Sequence, residues 1–182
     1  MSDHEHLARS VHDLTAAAWF GGSLMGAVGL DGATAAAHDP RERTRLSVVG
    51  WNRWRPVEVA ALTAHVVAGA WLVGANKGRL VAQEDVARAT ATKALVTVVG
   101  VATSAYSGRL GRVVEAHASE GGETTTEPRP GASPELASAQ RRLKVLQWVN
   151  PVLAAAVIVL GSRHGELQRP RSVGAGLLHR HG

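Results

Sequence analysis

A chain of 182 residues with a net charge of +5 at pH 7 suits one domain. It has no cysteine, which excludes a disulfide framework, a thiolate metal centre and a cysteine nucleophile. The basic balance does not point to nucleic acid, because the arginines are spread over every connection without aromatic interleaving or a nucleic-acid motif. Basic connections beside apolar spans suit anionic lipid headgroups instead.

The mean hydropathy of −0.02 hides a segregation of charge. Nearly all charged side chains lie outside four windows, about 14–30, 57–76, 91–108 and 145–162. The sequence therefore predicts an all-α fold, an integral membrane bundle of four transmembrane helices. A soluble four-helix bundle is the alternative. It would need polar stripes at 3.6-residue spacing, against which uncharged runs of this length argue.

In chain order, residues 1–13 read as a polar lead-in without the basic start of a secretory signal, so the first span is expected to be retained. Window 14–30 covers about 25 Å as a helix, at the short end for ~30 Å of hydrocarbon. Gly22 and Gly26 stand four apart in it and allow close approach of a second backbone. Residues 31–56 carry five arginines with Trp51 and Trp54, the composition of a headgroup-layer segment or of a basic loop. Pro56 is expected as the first residue of the second span. Inside that span His65 and Glu58 share a face.

A short connection, 77–90, makes spans two and three antiparallel neighbours. Span three is semi-polar, with Lys93, Thr97 and Thr103, and spaces Gly100, Ser104 and Gly108 on one face. The long connection, 113–140, is rich in Gly, Thr, Glu and Pro and is expected to be flexible, with helical extensions on either side. Span four contains Asn150 and Pro151, and the proline is expected to kink it. A basic tail, 163–182, follows with little expected structure.

Four spans put both termini on one side, here called proximal, together with the second connection. Nine basic residues fall there and eleven on the distal side. The positive-inside rule leans slightly toward a cytoplasmic distal side. Arginine in preference to lysine, with abundant Ala, Gly and Val, suggests a GC-rich bacterial genome. The expected location is therefore the bacterial inner membrane, with several passes.

Two polar groupings follow from residue depth. Ser23, His65, Thr97 or Thr103, and Asn150 fall near mid-membrane, where an ionisable residue suggests function. A neutral His65 hydrogen-bonded to Asn150 or a threonine is the structural alternative. His12, Lys93 and His164 gather on the proximal side, and two histidines suit a metal or haem iron. Interfacial histidines that bind nothing are commoner. His12 and His65 are not expected to pair on one iron, since counted depths separate them by about 15 Å. His4 and His6, like His179 and His181, have no fixed geometry. Glu58 is expected near the distal arginines as an ion pair. No phosphate loop, zinc-hydrolase motif or nucleophile elbow is present, so catalysis has no positive support.

The run His12-x-Leu14-x-Ala16-x-x-Trp19-Phe20-Gly21-Gly22 resembles the opening of the first helix in the copper-resistance D-type family and related small bacterial membrane proteins. The resemblance spans eleven residues. It implies a polytopic inner-membrane helical protein linked to copper or haem. With two methionines and no cysteine, soft ligands for Cu(I) are scarce, so a metal role would fall on His12 and His164. Three functions are carried forward: a non-enzymatic structural or accessory subunit, a metal- or haem-handling protein using His12 with His164 or His65, and a small transporter with a His65/Asn150 site. The expected partners are the lipid bilayer and a homo-oligomer or membrane complex, through the small-residue faces of Gly22, Gly26 and Gly100.

Overall fold

The structure is a computed structural model that describes residues 3–78 and 83–167, with side chains to Ser162. The expected basic tail, 163–182, opens as helix over 163–167, and its remainder, with the side chains of His164, His179 and His181, lies outside what is described.

Four long helices carry the chain. Helix α1 (Asp3–Met25) continues through a π-helical turn (Gly26–Leu30) into the short α2 (Asp31–Ala35). Helix α3 runs Pro40–Ala75, α4 Glu84–Ala116 and α5 Pro134–Leu167. Among the described residues there is no strand, only an isolated bridge between Gly122 and Pro128. By length and composition α3, α4 and the Pro134–Ser162 part of α5 can cross a membrane. Helix α1 does not join them, because its uncharged part, Leu14–Met25, is too short before the π-helical turn.

Helix α3 starts sixteen residues before Pro56 (Pro40 rather than position 56). The start signal is Asp39, whose carboxylate accepts from Arg41 N at 2.8 Å, with Pro40 at the first helical position. Pro56 is thus interior, and the expected headgroup segment or loop is instead a helical extension into the bundle.

Aromatic rings seated on glycines hold the helices in register. A Cβ at Gly22 would fall inside the Trp54 ring, one at Gly26 inside Trp51, and one at Gly100 inside Trp19. These small-residue positions are therefore filled from within the chain. Trp19 is fully buried and centres a cluster with Ala16, Leu62, Ala154 and Val157. A second cluster, Leu110, Val114, Leu136 and Ala139, joins α4 to α5 near the distal loop.

The same pairs expose an offset. On α3, Trp54 lies level with Gly22, Trp51 with Gly26 and His65 with His12. On α4, Gly100 lies level with Trp19, while Asn150 of α5 bonds Ser107 and Gly161 of α5 lies against Lys93. The uncharged stretches of α1, α4 and α5 thus coincide. That of α3 is displaced by roughly ten residues, about 15 Å, toward the proximal side. The part of α3 opposite window 14–30 is therefore polar, and it carries Arg55 and Glu58 into the bundle.

The connection after α4 is folded down rather than free. Residues 113–116 and 134–140 are helical, and 117–133 is pinned to neighbouring helices. Gly122 N donates to Pro40 O at 3.2 Å, Arg43 Nη1 to Glu123 O at 2.7 Å and Gln140 Nε2 to Thr125 O at 3.3 Å. Thr34 and Thr125 share a hydroxyl bond of 2.9 Å, and Lys144 pairs with Glu127. Low hydrophobicity is offset here by hydrogen bonds from its backbone to α3 and α5 and from the Thr125 hydroxyl to α2.

Overpacking predicts the effect of a single methyl. Gly22→Ala should destabilise the bundle by about 1–3 kcal/mol. Gly21→Ala, where a Cβ meets nothing within 4 Å, should leave stability unchanged or slightly raised. Thermal unfolding of the purified protein in detergent checks both.

Candidate functional site

Two polar centres lie inside the bundle, separated by the Trp19 cluster. The proximal centre is built by His12 of α1, His65 of α3 and Lys93 of α4. The imidazole rings of His12 and His65 stack at a centroid distance of 3.8 Å and an interplanar angle of 38°. Both histidines are buried. His65 Nδ1 donates to the His12 carbonyl at 3.0 Å, which leaves Nε2 as the acceptor of a neutral ring. His65 Nε2 is buried without a partner. Gly69 leaves room for the His12 ring, and Gly161 for the Lys93 ammonium.

This contact corrects the depth argument that separated His12 from His65. That argument placed His12 at a helix end. Helix α1 begins at Asp3, so His12 lies nine residues inside it (Asp3 to His12), while His65 lies ten from Ala75. At 1.5 Å per residue the two depths agree.

The stacked rings do not fit a metal between them. With a metal–nitrogen bond of about 2.0 Å, imidazole centroids on one ion stand about 5 Å apart in tetrahedral geometry and about 6 Å apart on opposite sides of a haem iron. At 3.8 Å they are too close for either. No group of three or more His, Asp or Glu side chains gathers among the described residues.

The distal centre is a cavity of about 90 Å³ between α1, α3, α4 and α5. Ser23, Arg55, Glu58, Ser107 and Asn150 line its depth, and Asp31, Thr125 and Thr126 its mouth. Each wall has a local cause. Arg55 reaches α4 because Gly108 and Gly111 leave a groove for its guanidinium, and its Nη1 donates to Gly108 O at 2.7 Å. Glu58 lies one turn further along α3, beside the Ser104 hydroxyl. Asn150 Nδ2 donates to Ser107 Oγ at 3.1 Å, while its Oδ1 is buried without a partner.

The backbone is irregular on three of the walls. The π-helical turn follows Ser23 and leads to Asp31. Pro56 and Pro151 have no N–H, so the carbonyls of Asn52 and Gln147 lose their intrahelical donors. Asn52 and Gln147 both line the cavity. Irregular backbone at membrane depth is tolerated where it lines a water-filled space.

Sequence reasoning had grouped Ser23, His65 and Asn150. The structure brings Ser23 and Asn150 to the cavity and places His65 beyond Trp19 with His12. Thr103 bonds within its own helix, to Gly100 O at 2.9 Å. Glu58 lies inside the bundle one turn from Arg55, one of the arginines expected beside it, and no ion pair joins the two among the described residues. The cavity roles of Arg55, Asp31 and Trp51 were missed. The signal that would have found them is Asp39-Pro40 as the true helix start, which puts Arg55-x-x-Glu58 mid-helix.

Matches were sought among family models, curated proteins and solved structures, and none matches this chain.

At the mouth, Trp51 Nε1 donates to Asp31 Oδ1 at 3.3 Å. Burial nevertheless pushes the Asp31 carboxyl up from 3.8 to about 6, against the hydrogen bonds that lower it. The folded value exceeds the unfolded one, so the favourable contribution is full below pH 3.8 and is lost as pH rises through about 6. Asp31→Asn should therefore raise the melting temperature at pH 8 and have little effect at pH 4. Melting curves of both proteins across that range provide the check, and a stabilisation largest at pH 4 would contradict the assignment.

Proposed function

We propose that this chain is a four-span membrane protein whose distal cavity admits water and binds a small polar solute, as part of a carrier. The observation that carries the reading is the inversion of polarity across the bundle. Ser23, Ser47, His65, Ser104 and Asn150 are buried, whereas Val67, Leu95, Val98, Trp148, Val152 and Val159 are exposed. Water outside the bundle would favour the reverse arrangement, and lipid outside favours this one. Helix α1 serves as the fourth span because its uncharged stretch lies level with those of α4 and α5.

Water in the distal cavity and the apolar Trp19 layer beneath it divide the bundle as a vestibule and a plug divide a carrier. The stacked histidines lie on the other side of that plug. The accessory-subunit reading loses its main argument, because Trp54, Trp51 and Trp19 already occupy Gly22, Gly26 and Gly100.

The absence of cysteine makes the test direct. In a lipid vesicle, a cysteine introduced by Ser107→Cys should react with a charged, water-soluble thiol reagent. One introduced by Val98→Cys, on the exposed apolar face, should react at least tenfold more slowly. Equal, slow labelling of both would reject a water-filled cavity.

A further inference from the structure

The cavity is lined by more acidic than basic side chains, and this bears on what it binds. Asp31 and Glu58 are two carboxylates against one guanidinium, Arg55. Arg55 is engaged with the Gly108 carbonyl, and no ion pair joins it to Glu58 among the described residues. Asn150 is 7% exposed, and the atom it leaves without a partner is its oxygen. A buried acceptor without a donor is costly, and a ligand that brings N–H groups and positive charge relieves it. The indole of Trp51, also in the wall, offers a face to a cation.

On the reading of this cavity as a solute site, we propose that it binds a primary ammonium group, held between the Glu58 carboxylate and Asn150 Oδ1. A hard metal cation suits the site less well, since no cluster of three or more metal-ligating His, Asp or Glu side chains exists among the described residues. The ammonium has two chemical sources: a simple alkylamine, or an amino acid whose carboxylate turns toward the remaining Arg55 donors.

The test is calorimetric titration of the full chain in lipid nanodiscs with four probes of equal carbon chain: butylammonium, 4-aminobutanoate, butyrate and butyltrimethylammonium. Saturable binding of butylammonium is expected, with butyrate silent and butyltrimethylammonium at least tenfold weaker, because it has no N–H for Asn150. Glu58→Gln should weaken butylammonium at least tenfold. Tighter binding of 4-aminobutanoate assigns the amino-acid source, and weaker binding the alkylamine. The proposal is overturned if butyrate binds as well as butylammonium, or if the trimethyl probe matches the primary amine. This comparison uses the unaltered chain and holds even if Glu58→Gln fails to fold. If the cysteine from Ser107→Cys labels readily and no ammonium probe binds, the ammonium assignment alone falls. If that cysteine is inaccessible, the solute cavity falls with it.

Discussion

Three tryptophan rings seated on three glycines set the register of the bundle, and most of its other properties follow from that register. Trp54 on Gly22 and Trp51 on Gly26 fix α3 against α1, and Trp19 on Gly100 fixes α1 against α4. Each glycine admits an indole face where any Cβ would intrude. Aromatic burial of this kind contributes more apolar contact per residue than the Ala- and Gly-rich helices can supply otherwise. The register is also specific, because moving α3 by one turn would leave one of the two rings, Trp54 or Trp51, against a side chain instead of a glycine.

The cost of that register is an offset of apolar stretches. With α3 displaced by about 15 Å relative to the other three helices, its charged middle segment lies at the depth of their uncharged ones. Arg55 and Glu58 are then inside the bundle, where an isolated charge is expensive. The groove at Gly108 and Gly111, the Ser104 hydroxyl and the cavity itself accommodate them. The π-helical turn of α1, Pro56 of α3 and Pro151 of α5 all occur at this depth. Irregular backbone, buried charge and open space therefore share one cause.

The helical character was legible from charge segregation alone, and so were the long apolar stretches of α3, α4 and α5. Helix boundaries were less legible. Pro56 carries the same start signal as Pro40, and only the Asp39 cap distinguishes them. That one misplacement hid the cavity, because it left Arg55 in a connection and moved Glu58 to the surface. It also rested on equating apolar windows with helices, which put His12 at a helix end and separated it from His65. Polar helix extensions such as 3–13 and 40–56 are stabilised by tertiary packing rather than by their own hydropathy, so window averages do not register them. The connection 117–133 was unreadable for a related reason. Its order comes from hydrogen bonds of its backbone to α3 and α5 and of the Thr125 hydroxyl to α2, which composition does not encode.

The most direct test of this account concerns the tryptophan–glycine register in a real bilayer. Solid-state NMR of the chain labelled only at glycine and tryptophan, reconstituted in lipid, reads through-space contacts between glycine Cα and indole carbons. The account predicts contacts from Gly22 to Trp54, Gly26 to Trp51 and Gly100 to Trp19. Absence of these contacts, with the same indoles in contact with lipid acyl chains, would contradict the register and with it the origin of the cavity.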